Sequence, residues 1–171
     1  YVGGIRFNAS DDDYVTLKYN ITGVQQWAKI FDGGDNDRIS TIKSDASANI
    51  YVTGQSDIIG GGSTDYNFRT IKYNSAGVQQ WNTVTGNPVL QEDVPSDIFI
   101  DASANVYVTG KSDGAAGGTL NYEFMTAKYN SLGAQHWIKY YDGTIANSED
   151  IPSNILVDAT GNVWISGGVN F

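Results

Sequence analysis

The chain has 171 residues, of which 40% are hydrophobic and 12% aromatic, with a formal net charge of −9 and no cysteine. This composition is sufficient for a packed core, and the lack of cysteine excludes disulfides and thiolate metal sites. The acidic balance argues against nucleic acid and anionic membranes as partners, and no run approaches the ~20 apolar residues that a membrane span needs.

Predicted strands follow one another along the whole chain, because short alternating runs rich in Val, Ile, Thr and Tyr are separated by turn residues. One decapeptide occurs at 18–27, 72–81 and 128–137, with its Trp residues 54 and 56 positions apart. Each copy joins two runs through Asn-x-x-Gly, which predicts a β-hairpin. A second predicted hairpin, which begins with Asp-Ala-Ser-Ala-Asn or Asp-Ala-Thr-Gly-Asn, recurs at 45–54, 101–110 and 158–167.

Four strands in each repeat, labelled A to D, predict an all-β fold made of β-propeller blades with four antiparallel strands. The predicted units are a partial blade at 1–31 (strands B, C and D), whole blades at 32–85 and 86–142, and a partial blade at 143–171 (strands A and B). Propellers need about 4–8 blades to close, so we expect completion by further blades of the same chain or by copies of it. Because the opening Tyr-Val-Gly-Gly matches strand B, we expect a processed chain or a segment of something longer.

The repeats resemble the SBBP-type bacterial β-propeller repeat. The matching pieces are DYVTLKYN, IKYN and AKYN, the G-x-Q-x-W after each, and DASANIYVTG, DASANVYVTG and DATGNVWISG. The resemblance implies a multi-bladed propeller in a secreted or surface-attached bacterial protein, without a shared set of catalytic residues. It therefore favours a non-enzymatic module for binding or structural assembly, located outside the cell or at its surface.

The loops are predicted to divide between the two ends of the sheets. The A–B and C–D turns are short and nearly identical, whereas the B–C and D–A loops are longer, differ between repeats and contain 14 of the 19 acidic residues. We expect a glycan or protein ligand to bind at the variable end. The candidate binding residues are Asp32, Asp35, Asn36, Asp37, Tyr66 and Tyr122, with both tyrosines expected to be exposed.

Calcium is the one cofactor that the sequence suggests, through Asp32, Asp35 and Asp37 in a short loop, because Ca²⁺ takes carboxylate and carbonyl oxygens. The alternative is a solvated acidic turn, since EF-hand spacing is absent and the equivalent loops lack the pattern. The Asp run at 11–13 is likewise expected to be a solvated loop tip.

The residues that recur in every repeat are interpreted as structural. One Trp per repeat at a fixed position predicts packing between sheets, and a Lys and an Asp near the same end predict a repeated Lys–Asp contact. These residues are Trp27, Trp81, Trp137, Lys18, Lys72, Lys128, Asp45, Asp101 and Asp158.

Two alternative functions stay open. A glycan hydrolase or lyase could use a pair of the clustered carboxylates, although the sequence singles out no pair. The chain could also be the subunit of an extracellular filament, since its two ends are out of phase with the blades.

Overall fold

A computed structural model describes residues 1–8, 10–57, 65–86, 92–113, 121–143 and 149–169. These residues form thirteen strands and no helix, so within them no helix is long and apolar enough to cross a membrane.

The strands form four antiparallel sheets in which sequence neighbours are also spatial neighbours. The first sheet contains β1 (Val2–Phe7), β2 (Asp12–Tyr19) and β3 (Gln25–Phe31). The second contains β4 (Asp37–Ser44), β5 (Ile50–Asp57), β6 (Tyr66–Tyr73) and β7 (Gln79–Thr85). The third contains β8 (Asp93–Ile100), β9 (Val106–Asp113), β10 (Tyr122–Tyr129) and β11 (Gln135–Tyr141), and the fourth contains β12 (Ile151–Val157) and β13 (Val163–Gly168). The predicted all-β fold with two whole and two partial blades is confirmed, and these sheets do not close into a ring.

In the C–D turns, an Asn side-chain oxygen accepts hydrogen bonds from backbone N–H groups of the turn. Asn74 Oδ1 accepts hydrogen bonds from the N–H groups of Ala76 (3.0 Å) and Val78 (2.9 Å), and Gly77 takes the positive φ of 78° that the turn requires. The other two copies repeat these bonds, which explains why Asn-x-x-Gly recurs.

The A–B turns use Asp in the same way. Asp101 Oδ1 accepts from the N–H groups of Ser103 and Asn105, both at 2.9 Å, while Oδ2 accepts from Asn105 Nδ2 at 2.8 Å and from the Tyr107 hydroxyl at 3.2 Å. Ala104 then adopts a φ of 59°, a position that Gly161 fills in the last repeat.

The hydrophobic cores lie between neighbouring sheets. The core between the second and third sheets is formed by Tyr51, Phe68, Ile98, Val106, Val108, Met125, Ala127 and Tyr129, with Trp81 at its margin. The core between the first and second sheets is formed by Tyr14, Ile50, Val52, Ile71 and Tyr73, with Trp27 at its margin. Each sheet therefore depends on the next one to cover its apolar face.

Candidate functional site

The regular end of the sheets, made of the A–B and C–D turns, is where the repeated Lys and Trp residues act. Both side chains donate to one backbone carbonyl in the C–D turn of the next sheet, at distances between 2.8 and 3.4 Å. The acceptor is Ser75 for Lys18 and Trp27, and Ser131 for Lys72 and Trp81. The Trp rings also meet Tyr rings across the junction, as with Trp81 and Tyr129, whose centroids lie 6.5 Å apart. The structure thus places Trp27 and Trp81 between sheets.

The predicted Lys–Asp contact is wrong, because the repeated Lys residues have other partners. Lys72 Nζ lies 5.2 Å from the centroid of the Tyr51 ring, and no ion pair joins the repeated Lys and Asp residues in the described part of the chain. Asp45 is occupied within its own turn, where Oδ2 accepts from Asn49 Nδ2 at 2.7 Å and from the Tyr51 hydroxyl at 3.0 Å. Lys18 and Lys128 likewise lie over Tyr1 and Tyr107.

The turn hydrogen bonds also set the acidity of these Asp residues. Partial burial alone would raise the pKa of Asp45 and Asp101, but hydrogen bonds from Asn49 and Asn105 and from neighbouring turn groups hold both pKa values below their usual range. These carboxylates therefore stay charged and fixed at neutral pH.

The irregular end, made of the B–C and D–A loops, has buried carboxylates at its base. Asp12 is 7% exposed and Asp13 is fully buried, so the expectation of a solvated Asp run is wrong for these two residues. Asp12 Oδ2 lies 2.7 Å from Arg38 Nε, and Asp13 Oδ2 lies 2.9 Å from Arg6 Nε. Asp12 and Asp13 are the first two residues of β2, and the pairing of β2 with β1 places Asp13 opposite Arg6. The arginines supply the opposite charge that burial of a carboxylate requires.

A second set of buried carboxylates recurs in every D–A loop. Asp37 among them was predicted as a binding residue and calcium ligand, but the burial of the set was not predicted. Asp37, Asp93 and Asp150 are fully buried at the start of strand A. Asp37 and Asp150 each accept a 2.5 Å hydrogen bond from the N–H of a glycine at the start of the same loop, Gly33 or Gly143. The sequence signal was a Gly and an Asp at the two ends of each loop, but the varied spacing between them obscured it.

Burial also changes the acidity of Asp37. Desolvation raises its pKa above the usual value, and the nearby Asp13 adds to this, although hydrogen bonds from Ser56 and Gly33 oppose the shift. The negative charge of Asp37 is therefore costly in the folded state.

The predicted calcium ligands face different partners. Asp32 Oδ1 accepts from the Gly34 N–H at 2.8 Å, and Asp35 Oδ1 accepts from the Asn36 N–H at 2.9 Å, whereas Asp37 points into its own loop. Within the described residues, no three His, Cys, Asp or Glu side chains form a group that could hold a metal ion. Calcium binding at this loop stays a prediction.

The two candidate aromatic residues differ in exposure. Tyr66 is half-buried, but Tyr122 is only 5% exposed, so the expectation that Tyr122 is free for stacking is wrong. Its hydroxyl donates to Glu92, and Lys111 Nζ lies 3.7 Å from the centroid of its ring. Lys111 in turn lies 3.1 Å from Glu92 Oε2, so the three side chains form one closed cluster.

The comparisons with known proteins agree with the fold. No protein-family model matches the sequence. Over 111 residues, or 61% of the chain, it is 31% identical to NHL repeat-containing protein 3 of Mus musculus. The match spans 30% of that protein, so the chain corresponds to less than a third of it. NHL repeats are β-propeller repeats, which supports propeller repeats in this chain and leaves the SBBP type a prediction.

Proposed function

We propose that the chain is a non-enzymatic β-propeller module for binding or structural assembly, located outside the cell or at its surface. The observation that carries this proposal is that the repeated side chains hold the fold together. Lys72 and Trp81 bind the next sheet, Asp101 closes its own turn, and Asp37 holds a loop. The residues that would be the first candidates for chemistry thus have structural partners.

The contacts of the acidic residues favour a module over a hydrolase. Glycoside hydrolysis uses two carboxyl groups on either side of a substrate bond, about 5–9.5 Å apart. Asp12 and Asp13 are tied to arginines, and Glu92 is tied to Lys111 and Tyr122. Each of these contacts occupies an oxygen of a carboxylate with a protein partner, so these three residues are less suited to such a role.

A ligand would bind at the irregular end. There the loops differ between repeats, while buried Asp residues hold the bases of the loops at fixed positions. Variable loops on a rigid scaffold are where binding residues are concentrated. The net charge of −9 suits a neutral glycan or a basic protein surface better than an anionic ligand.

A glycan array with the purified chain, followed by product analysis on every bound glycan, tests the proposal. We expect binding without turnover. Asp32→Ala, in an exposed loop of the irregular end, should weaken that binding, whereas Leu132→Ala, 80% exposed at the regular end, should not. Release of sugar products by the purified chain would contradict the proposal, and fractionation of cells that produce the protein tests its location.

A further inference from the structure

Two of the D–A loops begin with an Asp-Gly peptide bond, at 32–33 and at 142–143, whereas the corresponding position after the second sheet is Thr-Gly at 85–86. In an Asp-Gly sequence, the backbone nitrogen of the glycine can attack the carboxyl carbon of the Asp side chain, because glycine has no Cβ that hinders the approach. The product is a succinimide ring, which water opens to aspartate or to isoaspartate. The groups around each bond therefore decide how readily the folded chain undergoes this reaction.

The nitrogen that would attack is held by a carboxylate in both loops. Gly33 donates its N–H to Asp37 Oδ2 at 2.5 Å. Gly143 donates its N–H to Asp150 Oδ2 at the same distance. Both acceptors are fully buried. A carboxylate in direct hydrogen-bond contact with the proton that has to be removed has the geometry of a general base.

The same contact explains why the attacking residue is glycine. A Cβ on Gly33 would lie 2.8 Å from Asp37 Oδ2. A Cβ on Gly143 would lie 2.7 Å from Asp150 Oδ2. Any larger residue would therefore press against the buried carboxylate. The fold thus requires, directly after each exposed Asp, the residue that least hinders attack on that Asp side chain.

The carboxyl group of Asp32 has a further contact that favours the reaction. Its Oδ1 accepts a hydrogen bond from the Gly34 N–H at 2.8 Å, which keeps the carboxyl group next to the backbone of the loop. Attack on Cγ places negative charge on a carboxyl oxygen, and a backbone N–H that already points at this oxygen stabilises such a charge. Asp32 therefore has a base on the attacking nitrogen and a hydrogen-bond donor on the attacked group.

We propose that Asp32 is a site of spontaneous modification, at which a succinimide forms and opens to isoaspartate, with Asp37 as the catalytic base. The Gly33 nitrogen forms a bond to Cγ of Asp32 in its carboxylic acid form, and the amide proton passes to Asp37 Oδ2. The C–O bond to the hydroxyl group breaks, and Asp37 returns the proton, so that the hydroxyl group leaves as water. A water molecule then opens the ring at either carbonyl.

The inference goes beyond the proposed function and extends to the second loop. Asp142 is also exposed and precedes a glycine whose N–H donates to a buried carboxylate, so the same step is expected there with Asp150 as the base. Isoaspartate inserts a methylene group into the main chain. The modification therefore changes the path of the backbone in an exposed loop of the irregular end.

Peptide mapping after incubation in oxygen-18 water tests the proposal, because each opening of the ring adds an oxygen atom from the solvent. We expect label and isoaspartate at Asp32 and Asp142 in the folded chain. The Asp-Gly bond at 113–114 lies in a B–C loop and is the internal reference, which should be labelled at least about tenfold more slowly. In denaturant the three bonds should react at similar rates. Slower labelling of Asp32 in the folded chain than in denaturant would overturn the proposal.

Replacing the base separates catalysis from a purely structural role. Asp37→Asn keeps an oxygen for the Gly33 N–H but cannot take up its proton. We expect this variant to slow the labelling of Asp32 at least about tenfold and to leave that of Asp142 unchanged. If Asp37 only holds the loop, its replacement should loosen the loop and speed the reaction. Unchanged or faster labelling in a folded variant would therefore overturn the proposal.

A matched control in the same loop is Asp35→Asn, which makes the same change of charge. Asp35 accepts from the Asn36 N–H and not from Gly33, so the labelling of Asp32 should stay as in the unmodified chain. Circular dichroism shows whether each variant folds. If Asp37→Asn does not fold, Asp150→Asn applies the same test to the labelling of Asp142. Failure of the labelling would leave the proposed function intact, whereas turnover of a bound glycan would overturn the proposed function alone.

Discussion

Glycine recurs at one position of strand B, and its surroundings explain why. A Cβ on Gly110 would lie 2.2 Å from the Val94 carbonyl oxygen and 2.7 Å from Phe68 Cζ, because strand A bulges beneath it and an aromatic ring of the preceding sheet lies above it. Gly54 and Gly167 meet the same two kinds of neighbour. Gly4 holds the same repeat position, but among the described residues its Cβ would meet no atom within 4 Å.

Gly110→Ala should therefore lower the free energy of unfolding by about 1–3 kcal/mol, since the backbone of strand A on one side and the Phe68 ring on the other have to move. Gly4→Ala is the matched control and should change it by less than about 1 kcal/mol, in the stabilising direction, because it restricts the unfolded chain. Denaturant unfolding of both variants measures the difference. Equal losses would mean that strand A does not pack against Gly110 as the structure shows.

The raised pKa of Asp37 predicts that the free energy of unfolding increases on mild acidification. Its pKa is raised in the folded state, so the folded chain binds this proton more tightly than the unfolded chain. Its contribution to the free energy of unfolding thus increases as the pH falls through that raised pKa toward the unfolded value of about 3.9. Asp37→Asn keeps an oxygen for the Gly33 N–H and should remove this rise.

Unfolding free energies of the wild-type chain and Asp37→Asn between pH 4 and 7 measure the effect. Asp45→Asn is the control, because the pKa of Asp45 is lowered in the folded state. Its contribution is present above about pH 3.9 and is lost only as the pH falls further, through the folded pKa. Parallel curves for the wild type and Asp37→Asn would contradict the assignment.

At the scale of strands and hairpins, the sequence predicts what is local. Asn74 with Gly77, and Asp101 with Asn105, close turns within a few residues, so the hairpins and the order of the strands could be predicted. The hydrogen-bond acceptor of Lys72 could not be predicted, because it is a backbone carbonyl and every residue type has one.

The candidate site was less accessible to sequence analysis than the hairpins, because its contacts are not local. The burial of Asp12 depends on Arg38, which lies 26 residues away in another sheet. Tyr122 was expected to be exposed because it follows a variable loop, but Lys111 and Glu92 cover it. A polar loop composition indicates where charges are frequent, and it does not show which of them fold inward.

The junction between sheets should depend on Lys72 and not on a Lys–Asp pair. Lys72→Met should lower the free energy of unfolding by about 1 kcal/mol, since it removes a carbonyl hydrogen bond and the contact with the Tyr51 ring. In a double-mutant cycle with Asp45→Asn, we expect a coupling energy of no more than about 1 kcal/mol, because the two side chains share Tyr51 as a partner and make no direct contact. Coupling well above this would restore the predicted ion pair.

At the scale of the whole molecule, stability should be graded from the middle sheets outward. β5 and β9 have neighbours on both edges and are almost completely buried, whereas β1 and β13 lie at edges and are mostly exposed. Segments with few buried contacts open locally at a smaller free-energy cost than core strands. In dilute solution, hydrogen exchange followed by mass spectrometry should therefore be fastest in β1 and β13 and slowest in β5 and β9.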